Sequence, residues 1–264
     1  MKLTPLILGH RGASALAPEN TLAAFCRAMQ DGADGIEFDV RLSRDQVPVV
    51  IHDSTLKRTG LIDAVVSNLT VAELEDIDVG SWFVNKRAQT SGHSYRGERL
   101  PSLSRVLELF HSSHGVLYIE MKCDPNEATK LAAGVVHLVR EHQLVHRVVV
   151  ESFDLSAIAA IKRLDAGVKT AALFEPKVSR RISTIRRVKM IQQALEHEAD
   201  EIALHHTLAR KSVVEKARSE GLEVVVWTVD SARWVARAKS LGVKALISND
   251  PGKMVQHRMK PASP

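Results

Sequence analysis

Short apolar runs alternate with longer amphipathic segments along most of this chain. Each run is rich in valine, leucine or isoleucine, and the segments between runs repeat apolar residues every three or four positions. This alternation is typical of parallel βαβ units and argues against a β-sandwich. The pattern predicts eight parallel strands, at residues 6–10, 34–40, 116–122, 147–152, 169–174, 201–205, 223–229 and 244–248.

Eight such units predict an α/β fold, a (β/α)8 TIM barrel. The chain has 264 residues, 45% of them hydrophobic, so we expect a single domain over residues 1–264. The first helix is predicted from the i, i+3, i+4, i+7 spacing between Leu22 and Met29, with Asn20 or Thr21 as its N-cap.

A ninth apolar run, residues 47–52, follows the second strand too closely for a crossover helix. The polar turn at 43–46 instead predicts a β-hairpin in which this run pairs antiparallel with the second strand. Such pairing places His52 roughly opposite Glu37. We therefore interpret 47–52 as an additional hairpin strand outside the count of eight.

The βαβ pattern is interrupted over about residues 54–100 and resumes at Pro101. This segment follows the hairpin, so we expect it to form an insertion that lies over the catalytic end of the barrel and shapes the pocket.

Carboxylates at the ends of two strands predict a metal site. Glu37 and Asp39 stand at i and i+2, so their side chains project to the same face of one strand, and Glu120 ends the next barrel strand. Two acids on an inward face repel each other unless a cation or a proton intervenes. Hard oxygen ligands without a thiolate favour a divalent cation, Mg²⁺ or Ca²⁺, and the choice between the two stays open.

Two histidines accompany these acids. An isolated histidine is usually a bystander, and the chain has 12, but His10 and His52 each end a strand that faces the carboxylates. Two imidazoles beside a cation and Arg11 suit displacement at an anionic phosphorus centre. One imidazole accepts a proton from the attacking hydroxyl and the other protonates the leaving oxygen, in an order that the sequence leaves open.

Taken in order, the motifs resemble the successive signatures of the glycerophosphodiester phosphodiesterase family. The resemblance covers almost the whole chain, and several motifs in one order are far more specific than a single HRG triplet. The motifs are HRGAS at 10–14, PENT at 18–21, EFDV at 37–40, VVIHD at 49–53, IEMK at 119–122, SF at 152–153, WTV at 227–229 and SNDP at 248–251.

The resemblance implies metal-dependent hydrolysis of glycerophosphodiesters to glycerol 3-phosphate and an alcohol, and it places Lys122 near the phosphate. Lys122 can equally be a charge partner of Glu120. Trp227 either fills the barrel mouth or contacts the glycerol carbons. Glu19 orients Arg11 or caps the first helix, and Asn20 is either a supporting residue behind the metal ligands or only that helix's N-cap.

Three other functions stay open: a sphingomyelinase D-like lyase, a phospholipase C-like enzyme and a non-enzymatic anion-binding barrel. The first is disfavoured because two cysteines give no disulfide framework. The second is disfavoured because no apolar ridge or membrane span is present. The third is disfavoured because a binder needs neither the two histidines nor the three acids.

Charge and composition refine the expected partners. The net charge of +5 is mild, but residues 177–189 carry six basic residues and no acid, so we expect this run to steer anionic substrate. The run lacks interleaved aromatic residues, which argues against specific nucleic-acid binding.

No signal-peptide pattern precedes the first strand, so we expect a cytoplasmic protein acting on a small molecule. The head group and the oligomeric state stay open.

Overall fold

The computed structural model describes residues 4–83, 94–176 and 184–259, with the backbone alone for residues 184–187. Within these ranges, one sheet contains nine strands. The strands are β1 Leu6–His10, β2 Gly35–Leu42, β3 Pro48–Val50, β4 Val116–Met121, β5 Val148–Ser152, β6 Lys169–Phe174, β7 Glu201–His205, β8 Glu223–Trp227 and β9 Ala245–Ser248.

Eight of these strands close into a parallel barrel, because β1 pairs in parallel with both β2 and β9. The remaining barrel neighbours run in chain order from β4 to β9, and β2 pairs with β4. The predicted (β/α)8 TIM barrel is confirmed, and every predicted strand is present within a few residues of its expected bounds.

Helices cover the outside of the barrel and lie in the segments that the 3.6-residue periodicity indicates. None of the described helices combines the length and apolar character that crossing a membrane needs. They are α1 Leu22–Gln30, α2 Val71–Glu75, α3 Leu103–His111, α4 Ala128–Glu141, α5 Leu155–Leu164, α6 Thr184–Glu196, α7 Lys211–Ser219, α8 Arg233–Leu241 and α9 Pro251–Met259, with 3₁₀ turns at Val66–Asn68 and Val145–Arg147.

The predicted hairpin is confirmed. β3 runs antiparallel to β2, and Val40 pairs with Val50. It occupies the edge of β2 beyond the point where β1 ends, because the β1–β2 register stops at His10 and Glu37. Extended by two residues, the hairpin register brings His52 level with Phe38, one residue from the position that the sequence predicted.

The insertion has a small apolar cluster of its own. Its buried members include Leu56, Leu74 and Leu100, which pack with Val49 and Ile51 from the hairpin. α2 within it begins with a capping box between Thr70 and Glu73. Because the insertion shares its core with the hairpin, its packing fixes the direction in which the chain leaves β3 toward His52.

The barrel interior is apolar toward the amino ends of the strands and polar at their carboxyl ends. The apolar side chains that fill it include Leu8, Val149, Ala203 and Val225. Acidic side chains replace them toward the carboxyl ends of β2, β4 and β5. This is the end of a parallel barrel at which active sites lie.

Candidate active site

One pocket at the carboxyl ends of the barrel strands contains most of the residues selected from the sequence. Its lining includes both histidines, Arg11, two of the three acids, Lys122 and Trp227. The strands deliver these side chains from distant parts of the chain, so the pocket exists only in the closed barrel. The lining residues are His10, Arg11, Glu37, His52, Glu120, Lys122, Glu151, Phe153, Leu173, Glu175, Trp227 and Ile247.

The predicted acidic triad is assembled. Glu37, Asp39 and Glu120 each offer a carboxylate oxygen, and these oxygens lie within 4.8 Å of one another. Asp39 and Glu120 are register partners on β2 and β4, which brings the two carboxylates side by side. All three residues are buried. The spacing is that of ligands around one hard cation.

The electrostatics of the triad fit a cation. Burial, together with the neighbouring charge of Asp39, raises the pKa of both Glu37 and Glu120 to about 8. Lys122 Nζ lies 2.6 Å from Glu120 Oε1 and 3.4 Å from Asp39 Oδ1, yet neither oxygen has a partner with hydrogen-bond geometry in the described part of the chain. Excess negative charge and carboxylate oxygens without a hydrogen bond are the properties that a divalent cation would satisfy.

Arg11 and Asn20 hold the buried end of the triad. The Arg11 backbone N–H donates to Glu37 Oε2 at 3.0 Å, and its Nε lies 3.0 Å from Asp39 Oδ2. Asn20 donates from Nδ2 to the same Asp39 oxygen at 2.9 Å. Burial opposes ionisation of Asp39, but Arg11 and Lys122 outweigh it and keep the pKa of that carboxyl below its usual value.

The structure distinguishes the two roles considered for Asn20. The N-cap of α1 is Thr21, whose side chain accepts from the Ala24 N–H, whereas the Asn20 side chain faces Asp39. Arg11 and Asn20 both have left-handed backbone, with φ of 52° and 58°. Such conformations cost energy in residues other than glycine, and they concentrate at functional sites.

Gly12 follows Arg11 for a steric reason. Its φ is 79°, and a Cβ placed there would lie 2.6 Å from the Ala24 carbonyl oxygen. Only glycine allows this close approach of the loop to α1. The third residue of the HRG triplet therefore fixes the loop that presents His10 and Arg11.

His10 is oriented by Asn249, which lies 239 positions later in the chain. Its Nδ1 lies 2.7 Å from Asn249 Oδ1, and Asn249 in turn donates from Nδ2 to Asp230 at 2.8 Å. This leaves Nε2 of His10 on the side of the triad, 3.9 Å from Glu37 Oε2. Burial, reinforced by the charge of Arg11, lowers the pKa of His10.

His52 has a carboxylate partner instead. Its Nδ1 lies 2.6 Å from Asp53 Oδ1, and Arg58 Nε donates to the other oxygen of Asp53 at 2.7 Å. Burial lowers the pKa of His52, and Asp39 offsets part of that shift. Although burial opposes it, Arg58 and His52 lower the pKa of Asp53 to about 2.

Glu19 joins the two sides of the pocket. Arg11 donates to Glu19 Oε1 at 2.8 Å, and Arg58 donates to both Glu19 oxygens at 2.8 Å. Glu19 therefore orients Arg11, which was one of the two predicted alternatives. Through Arg58 it also connects Arg11 to the Asp53 that holds His52.

Trp227 and Phe153 form the apolar part of the lining. Their rings meet edge to face with centroids 5.6 Å apart, and His205 packs on the other side of Trp227 at 5.3 Å. Phe153 is 40% exposed, so this wall lies near the mouth of the pocket. The sequence predicted Trp227 at the mouth, and both readings of its role are compatible with this position.

Several residues of the site were missed in the sequence. Asp53 and Asn249 lie inside the recognised motifs VVIHD and SNDP, and Glu151 is a lone acid at the end of an apolar run; these signals were available. Arg58 has no such signal, because it lies in the insertion, where no periodic pattern indicates direction.

Most of the basic run at 177–189 lies outside the described residues. Lys177, Arg180 and Arg181 lie outside the described residues, and only the backbone is described for Arg186 and Arg187. Substrate steering by this run stays a prediction.

Comparison with known proteins identifies the family. The model of the glycerophosphoryl diester phosphodiesterase family matches residues 10–253, from the first histidine of the pocket to the start of α9. The chain belongs to this family. The enzyme class predicted from the motifs, a glycerophosphodiester phosphodiesterase, is thereby confirmed.

Individual relatives agree over nearly the full length. A glycerophosphodiester phosphodiesterase of Caldanaerobacter subterraneus is 31% identical over 250 residues, covering 95% of this chain and 96% of the relative. One from Bacillus subtilis is 29% identical over 251 residues, covering 93% of this chain and 84% of the relative.

Solved structures give the same result. A phosphodiesterase from Oleispira antarctica, determined in complex with the product sn-glycerol-3-phosphate, matches with a TM-score of 0.82 and 25% identity, covering 96% of each chain. A glycerophosphodiester phosphodiesterase from Agrobacterium tumefaciens matches with a TM-score of 0.76 and 29% identity, covering 96% of this chain and 99% of that one.

Proposed function

We propose that this enzyme hydrolyses glycerophosphodiesters to glycerol 3-phosphate and an alcohol with one divalent cation and two histidines. The observation that carries the proposal is the pocket itself. It combines a buried acidic triad with two imidazoles, each of which has its Nδ1 engaged and its Nε2 left for a substrate. Family membership supplies the substrate class.

Glu37, Asp39 and Glu120 would hold the cation, Mg²⁺ or Ca²⁺. When bound, it supplies positive charge that stabilises the phosphoryl oxygens. Arg11 and Lys122 line the same pocket and would bind the phosphate oxygens that the cation does not reach.

The histidines transfer protons at two atoms. One Nε2 accepts the proton of the glycerol 2-hydroxyl as this hydroxyl attacks phosphorus, and the other Nε2 protonates the departing alcohol oxygen. Water then opens the cyclic phosphate with the two roles reversed. Direct attack by water in a single step is the alternative route, and the order of the two histidines stays open.

Phosphorus NMR of glycerophosphocholine hydrolysis, with and without added Mg²⁺ or Ca²⁺, tests the proposal. We expect glycerol 3-phosphate to form only when a cation is present. Accumulated cyclic phosphate as the final product would instead indicate a lyase, and phosphocholine would indicate phospholipase C-like cleavage. Binding without turnover would indicate an anion-binding barrel, and full turnover after exhaustive chelation would contradict the cation requirement. The cytoplasmic location stays a prediction.

A further inference from the structure

Glu151 is a buried acid that the proposed chemistry does not use. It lies on β5, next to Glu120 in the register, and is 1% exposed. Its Oε2 atom has no hydrogen-bond partner in the described part of the chain. Glu151 lines the pocket but is not one of the three acids whose oxygens lie within 4.8 Å of one another.

A buried carboxyl oxygen without a partner is unfavourable, because it loses its water without gaining a protein hydrogen bond. The neighbouring cations are engaged elsewhere: Lys122 pairs with Glu120 and Asp39, and Arg11 pairs with Asp39 and Glu19. The position of Glu151 in the pocket wall therefore points to a ligand group that donates a hydrogen bond.

The depth of Glu151 indicates which part of a substrate it meets. Phe153 lies two residues later on the same pocket wall, about 6–7 Å further along an extended chain, and is 40% exposed at the mouth. Glu151 thus lies deeper in the pocket than Phe153, next to Glu120 of the acidic triad. The deeper part of a pocket suits the part that all substrates of a class share, and the open end suits the part that varies.

Only a few groups of a glycerophosphodiester can donate to Glu151. A phosphodiester offers acceptors alone, and a quaternary ammonium head group has no N–H. The glycerol hydroxyls are donors in every member of the class, and the 2-hydroxyl is already assigned to attack phosphorus. In the part that all glycerophosphodiesters share, the terminal hydroxyl is the donor that remains.

We infer that Glu151 binds the terminal hydroxyl of the substrate's glycerol moiety and thereby selects glycerophosphodiesters over phosphodiesters that lack it. This inference rests on the proposed function. It makes Glu151 a specificity-determining residue that acts on substrate without touching the cation.

The test compares glycerophosphocholine with its 1-deoxy analogue, which lacks only the terminal hydroxyl. We expect wild-type kcat/KM to be ~10–100-fold lower for the analogue, the cost of leaving one buried polar group without its hydrogen-bond partner. The Glu151→Met variant has a side chain of similar volume. We expect its kcat/KM to be nearly equal for the two substrates, because it acts more slowly on glycerophosphocholine, so the ratio between the substrates is mostly lost. Glu151→Gln, which can still hydrogen-bond, should keep most of it.

Glu215→Gln is the control, since Glu215 is an exposed acid on α7 outside the pocket lining and should leave the ratio unchanged. Calorimetry of Mn²⁺ binding should give equal affinity for wild type and Glu151→Met; a loss would make Glu151 a fourth metal ligand and overturn the inference. If the wild type turns over both substrates with equal kcat/KM, the inference about Glu151 is wrong and the proposed function stands, whether or not the variants fold. If the wild type does not turn over glycerophosphocholine, both the inference and the proposed function are wrong.

Discussion

His10 and His52 share one pocket but are held by groups of different charge. The neutral amide of Asn249 accepts from His10, whereas the carboxylate of Asp53 accepts from His52. In each ring a hydrogen bond at Nδ1 fixes the orientation and leaves Nε2 for proton transfer. The two imidazoles are therefore equivalent in position and different in environment.

We predict that His10→Ala and His52→Ala each lower kcat by ~10²–10⁴-fold, because each removes one proton transfer. The double variant should be little worse than either single one, since both act in the same mechanism. A nitrophenyl phosphodiester, whose leaving group needs no protonation, should restore one single variant far more than the other. Steady-state kinetics with both substrates measure this difference.

His137→Ala is the control, because His137 is an exposed histidine on α4 and should leave kcat unchanged. Cation affinity, measured by calorimetry, should survive both active-site changes. Equal responses of the two variants to the nitrophenyl substrate, or loss of cation binding in either, would contradict the division of roles.

The sequence specified the charged residues of the site better than the polar residues around them. Glu37, Asp39 and Glu120 could be predicted because alternation along a strand fixes the direction of each side chain. For Asn20 the sequence left two roles open, because asparagine caps helices as well as it binds carboxylates, and only the loop conformation decides between the two.

The insertion and the hairpin pack together as one unit. They share an apolar cluster, and Arg58 extends from this unit to Asp53 and to Glu19. Arg58 touches no substrate atom in the proposed reaction. It is a positioning residue, and its contacts reach both His52 and Arg11.

We predict that Arg58→Ala lowers kcat by ~10–100-fold with a smaller effect on KM, as is typical when a group behind a catalytic residue is removed. Millimolar guanidinium should restore part of the activity by occupying the vacated position. Arg58→Lys should recover little, because an ammonium cannot donate to both carboxylates in the geometry of the guanidinium fork. Kinetics of the three proteins provide the measurement.

Arg44→Ala is the control for this element, since Arg44 makes an exposed ion pair with Glu73 and should tolerate the change with kcat within about twofold. If guanidinium fails to improve Arg58→Ala, or improves Arg44→Ala equally, Arg58 is only a structural residue.

The contact between Arg58 and Asp53 makes the stability of the protein depend on pH. The pKa of Asp53 is about 2 in the folded protein and about 4 in an unfolded chain, so its stabilising effect is present above pH 4 and disappears as pH falls toward 2. The difference in Tm between wild type and Arg58→Ala should shrink over that range.

Strands and helices could be predicted where their pattern of apolar and polar residues was regular. Parallel strands are apolar on both faces and read clearly, and the short turn at 43–46 sufficed for the hairpin. The insertion has short elements and mixed patterning, so the sequence indicated its existence but neither its small core nor the direction of Arg58.

At the scale of the whole molecule, three buried acids lie close together at one end of the barrel. Burying three acids together is unfavourable without a counter-charge, and a bound cation would relieve this through the free energy of binding. The stability of the fold and the occupancy of the site are therefore linked.

We predict that Ca²⁺ or Mn²⁺ at 100 times its Kd raises the Tm by about 5–10 °C, from a stabilisation of ~2.7 kcal/mol spread over a chain of this size. Glu120→Gln should lose this rise, and Glu175→Gln should keep it. Differential scanning calorimetry across a cation titration gives the result; an equal rise in Glu120→Gln would remove the triad as the binding site.

The contact between His10 and Asn249 joins residues 239 positions apart in the chain. During synthesis, a ribosome that has completed β8 has released both histidines and all three acids, yet Asn249 has not been made. β1 also lacks β9, its partner at the closing seam. We therefore expect the enzyme to gain its activity only at the end of translation, and a product that terminates just after β8 carries every catalytic residue without the arrangement that makes them work.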